Sequence, residues 1–169
     1  RKEIAEKIGA AVKPQHTRKD MKLHEDNPDI MIALIAIGRM ENRYAREWVE
    51  HHLRMGFDHI IICDNNHDGE ERFEDVLQEY IDKGRGEVLD YRNQESAQRK
   101  AYTECYARYG GQYEWIAFFD FDEFLCINDA LPQDVHALMG RYDRRCKVMM
   151  VPWVVYTDSG LIDDDGRPV

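Results

Sequence analysis

No stretch of this chain is apolar for long enough to cross a bilayer. The longest run, Ile30 to Ile37, falls well short of the ~20 residues that a spanning helix needs. No signal peptide is expected ahead of the domain, and a chain that begins at Arg1 without Met reads as an excised fragment. The expected setting is the cytoplasm, with peripheral association at the inner face of a membrane as the alternative placement. Basic residues are also in short supply: 23 Lys and Arg stand against 33 Asp and Glu, a net charge of -10. Nucleic acid is excluded as the main partner on that ground, because phosphate backbones demand clustered cations. A small anionic ligand remains admissible if a metal masks the local carboxylates. The four cysteines, Cys63, Cys105, Cys126 and Cys146, form no Cys-x-x-Cys and have no His at zinc-site spacing. Their mostly apolar neighbours make them read as four reduced core thiols in a reducing compartment, the alternative being two disulfides in a secreted protein. Internal repeats and low-complexity tracts are absent, and the 11% aromatic content is that of a folded chain.

What is present is a repeated exchange of short apolar runs and amphipathic stretches. Residues 1–29 carry Pro14 and Pro28 and few large apolar side chains, so they read as a helical arm and linker rather than a second domain. From residue 30 to 169 the pattern predicts one domain. A strand at Ile30–Ile37 precedes a helix from about Glu41 to Met55, with Ala45, Trp48, Val49, His52 and Leu53 on one face and Gly56 as its stop. A strand at His59–Cys63 precedes a helix with Phe73, Val76, Leu77, Tyr80 and Ile81 on one stripe. A third strand, Glu87–Tyr91, leads to a helix around Glu95–Tyr109, and Trp115–Phe119 forms a fourth, buried strand. A short helix follows Pro132, and Lys147–Val155 reads as another strand. Four alternations of strand and helix predict an α/β fold with a mostly parallel sheet flanked by helices, since each parallel pair needs a crossover. The polar loop after the last strand makes the domain read as incomplete at its C-terminus.

The chemistry concentrates in Trp115-Ile-Ala-Phe-Phe-Asp-Phe-Asp-Glu-Phe-Leu125, an apolar strand that ends in acids at positions 120, 122 and 123. Extended chain sends Asp120 and Asp122 to the same side, at the carboxyl end of the strand where open α/β sheets form their ligand crevices. Two such carboxylates repel unless a cation sits between them, and a hard divalent ion with oxygen ligands is the usual solution. The bland alternative is a solvated acidic turn. Parallel topology should bring to the same edge Arg39, Glu41 and Asn42 after the first strand and Asp64, Asn65 and Asn66 after the second. Asp64 with its two Asn suits the polar edge of a base or a ribose hydroxyl pair, or else forms an Asx-rich turn. Gln98 could face a nucleotide from its helix. Arg99 and Lys100 either neutralise phosphate or form a solvated helix face, and His52 reads as a satisfied core histidine.

Taken together, Arg39-Met-Glu-Asn42 with Glu47-Trp48-Val-Glu-His-His-Leu53, Gly56-Phe-Asp-His-Ile-Ile-Ile-Cys-Asp-Asn-Asn66, Gln98-Arg-Lys-Ala101 with Cys105, and the Trp115–Leu125 motif resemble the family 2-like and family 92-like glycosyltransferases of the GT-A fold. The resemblance spans Met31 to about Gly160. It implies a GT-A-like domain in which Asp120-Phe121-Asp122 is the Asp-x-Asp motif, binding Mn2+ or Mg2+ and through it the diphosphate of a nucleotide-sugar. On that basis Asp122 is the direct metal ligand, Asp120 contacts the ribose or the metal, Asp64 reads the nucleoside, and Glu41 lies near the same pocket. The implied donor is a UDP-sugar, and the implied acceptor a glycan or a lipid-linked hydroxyl, with inverting transfer. Val151-Pro-Trp-Val-Val-Tyr-Thr-Asp-Ser-Gly160 resembles the acceptor-side segment, so Trp153 and Tyr156 are acceptor platforms or, equally, sheet core. The general base is expected beyond Val169. Two other readings compete: a haloacid-dehalogenase-like phosphatase, whose Asp-x-Asp normally ends the first strand instead of the fourth, and a non-catalytic nucleotide- or glycan-binding module.

Overall fold

The computed structural model describes residues 31–128, 134–142 and 146–155. Strands β1 (Ile32–Gly38), β2 (His59–Asp64), β3 (Gly86–Asp90) and β4 (Trp115–Phe118) form one sheet in the order β3-β2-β1-β4, and every pairing is parallel. Helices α1 (Asn42–Arg54), α2 (Glu74–Asp82) and α3 (Gln98–Tyr109) follow the first three strands, and a short α4 (Val135–Met139) comes later. The predicted α/β architecture, a parallel sheet flanked by helices, is the one observed.

The unbroken apolar runs of β1 and β2 follow from burial on both faces. Ile32, Leu34, Ala36, Ile60 and Ile62 pack beneath α1 and α2, joined by Ala45, Trp48, Val49, Phe73, Leu77 and Tyr80. The alternate residues Met31, Ala33, Ile35, Ile61 and Cys63 pack on the opposite face with Ala101, Cys105 and Tyr109 of α3. Cys63 and Cys105 are free thiols buried there, with their sulfurs 3.5 Å apart, whereas Cys126 is exposed and Cys146 half-buried, so only two of the four expected core thiols are in the core.

Helix α1 buries Ala45, Trp48, Val49 and His52, the spacing that puts side chains on one face. It ends at Gly56, whose φ of 98° lets the N–H groups of Gly56 and Phe57 turn back to the carbonyls of Leu53 and His52. Gly84, at φ 67°, closes α2 in the same way onto Ile81 and Tyr80.

Three further expectations need correction. Helix α3 starts at Gln98 and not near Glu95, because Asn93 and Ser96 hold positive φ angles of 58° and 50° that no right-handed helix admits. The fourth strand is half-buried rather than buried: among the described residues it lies at the end of the sheet order and pairs with β1 alone. Residues 146–155 form no strand; Val148, Met150, Val154 and Val155 stand 73–90% exposed, off the sheet. Strand propensity there meets no partner edge among the described residues, and an unpaired apolar run has nothing to hold it extended.

Candidate functional site

The carboxyl ends of parallel strands share one edge, and here the loops after β1, β2 and β4 interlock on it. Gly38 pairs in register with Asp64. Asn65 N–H donates to the Gly38 carbonyl at 3.0 Å, and the Asn66 carboxamide oxygen accepts the Met40 N–H at 2.8 Å. That second bond holds Met40 at φ 60°, a left-handed conformation uncommon for a side chain of its size.

The acids sit on a hydrogen-bonded turn beyond the end of β4, not on the extended chain expected of them. Phe121 points inward and is 5% exposed, whereas Asp120 and Asp122 face solvent. The Phe121 ring stacks on Phe73 at 5.1 Å with an interplanar angle of 7°, lies 4.9 Å from Trp48, and covers Gly38. A Cβ on Gly38 would lie 2.6 Å from that ring, so glycine is required for the approach. The turn closes on itself: Glu123 N–H donates to the Asp120 carbonyl at 3.1 Å, and the Glu123 carboxylate accepts the Asp120 N–H at 2.9 Å. The Trp48 indole N–H donates to both carbonyls, 3.1 Å from Asp120 and 2.9 Å from Glu123.

From α3, the Gln98 amide donates to Asp120 Oδ1 at 3.0 Å and the Tyr102 hydroxyl to the same oxygen at 3.3 Å. Burial, then the Asp120 carboxylate, push the Tyr102 hydroxyl well above its ordinary pKa, with Gln98 opposing, so it stays a donor. Asp120 Oδ2 and the whole Asp122 carboxylate have no hydrogen-bond donor among the described residues.

Glu41 flanks the turn. It precedes α1 but makes no capping bond; that role falls to Glu71, whose carboxylate accepts the Asn42 N–H at 2.8 Å. Burial raises the pKa of Glu41, and the nearby charges of Asp122 and Glu71 raise it further. The edge therefore carries an excess of negative potential. Arg39 does not relieve it, because its guanidinium pairs with Glu70, which together with the His67 N–H holds the Glu70 carboxyl down at about 2.

Asp64 is buried, at 1% exposure, and both its oxygens are engaged. Oδ1 accepts from Asn66 N at 2.9 Å and Nδ2 at 2.8 Å; Oδ2 accepts from Arg92 Nε at 3.0 Å and Nη2 at 2.9 Å. Arg92 also reaches the Glu71 carbonyl at 3.1 Å, which ties the loop after β3 to the segment before α2.

No group of three His, Cys, Asp or Glu side chains is poised to hold a metal among the described residues. Mg2+ is usually held by one or two carboxylates and completed by water and substrate phosphates, not by an all-protein cage. Asp122 and the open oxygen of Asp120, both hard oxygen donors, fit that chemistry, and the negative potential around Glu41 favours it.

Of the residues read from the sequence, Glu41, Asp64, Gln98, Asp120 and Asp122 all lie at this edge. Gln98 meets Asp120 directly, and the Asp64 carboxylate is turned to Arg92. Trp153 is 79% exposed, so the sheet-core alternative falls; Tyr156 lies outside the described residues. His52 is the buried core histidine expected, with burial lowering its pKa to about 3. Sequence reasoning missed Arg92, Glu71, Tyr102 and the structural use of Phe121. Only Phe121 had a visible signal, an aromatic between two solvent-facing acids.

The glycosyltransferase family 92 model matches residues 40–145. Galactan beta-1,4-galactosyltransferase GALS2 of Arabidopsis thaliana is 34% identical over 98 residues, which cover 53% of this chain and 19% of that protein. A glycosyltransferase family 92 protein of Ricinus communis is 31% identical over 93 residues, 55% of this chain and 16% of its own length. One from Oryza sativa subsp. japonica is 35% identical over 88 residues, 52% and 15%. An α/β sheet with this matched segment places the molecule among the glycosyltransferases. The chain belongs to glycosyltransferase family 92. It matches less than a fifth of the length of these curated relatives.

Proposed function

We propose that this chain forms the donor-binding part of a metal-dependent glycosyltransferase of GT-A type, which transfers a hexose from a UDP-sugar to a glycan or lipid-linked hydroxyl. The observation that carries the reading is the pair of solvent-facing carboxylates, Asp120 and Asp122, on an anchored turn at the carboxyl edge of a family 92 sheet. Asp122 and Asp120 Oδ2 would hold Mn2+ or Mg2+, which when bound offsets the negative charge that develops on a leaving diphosphate. Gln98 and Tyr102 hold Asp120 Oδ1 and aim its other oxygen outward. Glu41 completes the acidic wall. Asp64 is proposed to read the nucleoside, which would require a ligand to compete with Arg92 for its carboxylate. The names of the Arabidopsis relatives make galactose the first sugar to test and galactan-like glycans the first acceptors.

The test is calorimetric titration of the full-length protein with UDP, with Mn2+ and with chelator, alongside Asp122→Ala. Binding is expected with metal and lost in the variant. Equal affinity with chelator present, or an unaffected Asp122→Ala protein, refutes the assignment. Hydrolysis of UDP-galactose compared with UDP-glucose then reads the sugar preference.

A further inference from the structure

Three side chains of one helix take hold of the backbone of the acidic turn. The indole N–H of Trp48 spans the carbonyls of Asp120 and Glu123. His51 Nε2 lies 2.8 Å from the Leu125 carbonyl and must carry the proton there, since a carbonyl oxygen only accepts. His52 Nδ1 donates to the Trp48 carbonyl at 2.8 Å, which leaves Nε2 bare to accept the Leu125 N–H at 3.3 Å. Positions 48, 51 and 52 share one helical face, so a single rigid element fixes the chain at 120, 123 and 125. Rings reinforce the grip: His51 meets Phe124 edge-on at 5.2 Å, and His52 lies 4.4 Å from Trp48.

These contacts touch no acidic side chain. They act on the main chain from which Asp120 and Asp122 project, between residues whose charges would otherwise splay the turn. We propose that Trp48, His51 and His52 are positioning residues for the cation site, setting the direction of both carboxylates through the backbone of residues 120–125. The inference rests on the metal-dependent reading above and extends it to residues that never meet the ligand. Groups that orient metal ligands in this indirect way typically contribute 10- to 100-fold in metal affinity.

His51 is the best probe, because it is only half-buried and its single bond can be removed or restored. In the full-length protein with UDP present, Mn2+ binding is followed by the electron paramagnetic resonance of the free ion, with thermal unfolding in parallel. His51→Ala is expected to weaken Mn2+ binding ~10-fold with a melting point within a few degrees of wild type. His51→Gln, which keeps a donor of similar reach, is expected to recover most of that loss. Trp48→Phe, which keeps an aromatic ring but deletes the indole N–H, should weaken binding similarly. In wild type, the Trp48 indole resonance should broaden in paramagnetic Mn2+. Wild-type affinity in His51→Ala and Trp48→Phe overturns the positioning role alone. Equal loss in the Ala and Gln variants, tracking global unfolding, also overturns it. Absence of Mn2+ binding in the wild type overturns the parent reading and this inference with it.

Discussion

Arg92 directs two guanidinium nitrogens, at 3.0 and 2.9 Å, onto a single oxygen of Asp64 while Asn66 holds the other. Asp64 is 1% exposed, and Arg92 is the cation paired with it. Arg92→Met is expected to destabilise the domain by about 3–5 kcal/mol, because it strands a buried carboxylate. Asp64→Asn combined with Arg92→Met should recover part of that loss. Urea unfolding of the four proteins of the cycle measures both effects.

Two buried histidines give the stability opposite pH dependences. His52 has a folded pKa of about 3, depressed by burial, against an ordinary value near 6.5. The unfolded chain therefore binds the extra proton, and stability falls as pH drops from about 6.5 toward 3, by about 1.4 kcal/mol per unit. In His136, burial disfavours the charge, but the Asp58 carboxylate at 2.9 Å overrides it and raises the pKa. Its contribution is complete below about 6.5 and is lost as pH rises through the raised value. Urea midpoints across pH should show a shallower acid limb in His52→Gln and a flatter limb above 6.5 in His136→Gln.

Gly38→Ala places a methyl 2.6 Å from the Phe121 ring. Overpacking of this kind costs about 1–3 kcal/mol, and the strain falls on the residue between the two acids. Lower unfolding midpoints together with weaker Mn2+ binding are expected. A fall in stability with unchanged metal affinity would show that Phe121 anchors the fold but not the site.

Gln98 and Tyr102 share one oxygen of Asp120, so each covers for the other. Gln98→Leu or Tyr102→Phe alone should weaken metal-dependent UDP binding only a few-fold, since exposed hydrogen bonds contribute about 0.5–1.5 kcal/mol net. The double variant should lose more than the sum of the single losses. Strict additivity on titration would mean that the two donors act independently.

Much of the architecture was legible in advance, because it rests on local periodicity. The runs Ile30–Ile37 and His59–Cys63 read as strands, and the spacing of Ala45, Trp48, Val49 and His52 puts them on one helix face. The failures have physical causes. Helix α3 starts later than its periodicity suggests because Asn93 and Ser96 adopt left-handed backbone, which no helical pattern reveals. Residues 146–155 have strand composition and no strand, because a strand requires a partner edge that composition cannot supply. In the site, Glu41 and Asp122 could be brought near one another by topology alone, whereas Arg92 could not be assigned to Asp64. Which cation reaches a buried carboxylate depends on loop paths.

By itself the sequence determined the parallel α/β sheet, the place of Asp120 and Asp122 after its fourth strand, and the edge on which they lie. The sheet and its edge follow from short-range rules: period 2 along a strand, period 3.6 along a helix, and the shared edge of parallel strand ends. Only the tertiary structure decided that Asp64 is bound to Arg92, that Gln98 and Tyr102 take one oxygen of Asp120, and that Trp48, His51 and His52 grip the turn by its backbone. Those bonds join groups far apart in the chain, and their 2.8–3.3 Å distances exist only once the hydrophobic faces of α1, α3 and the sheet have packed.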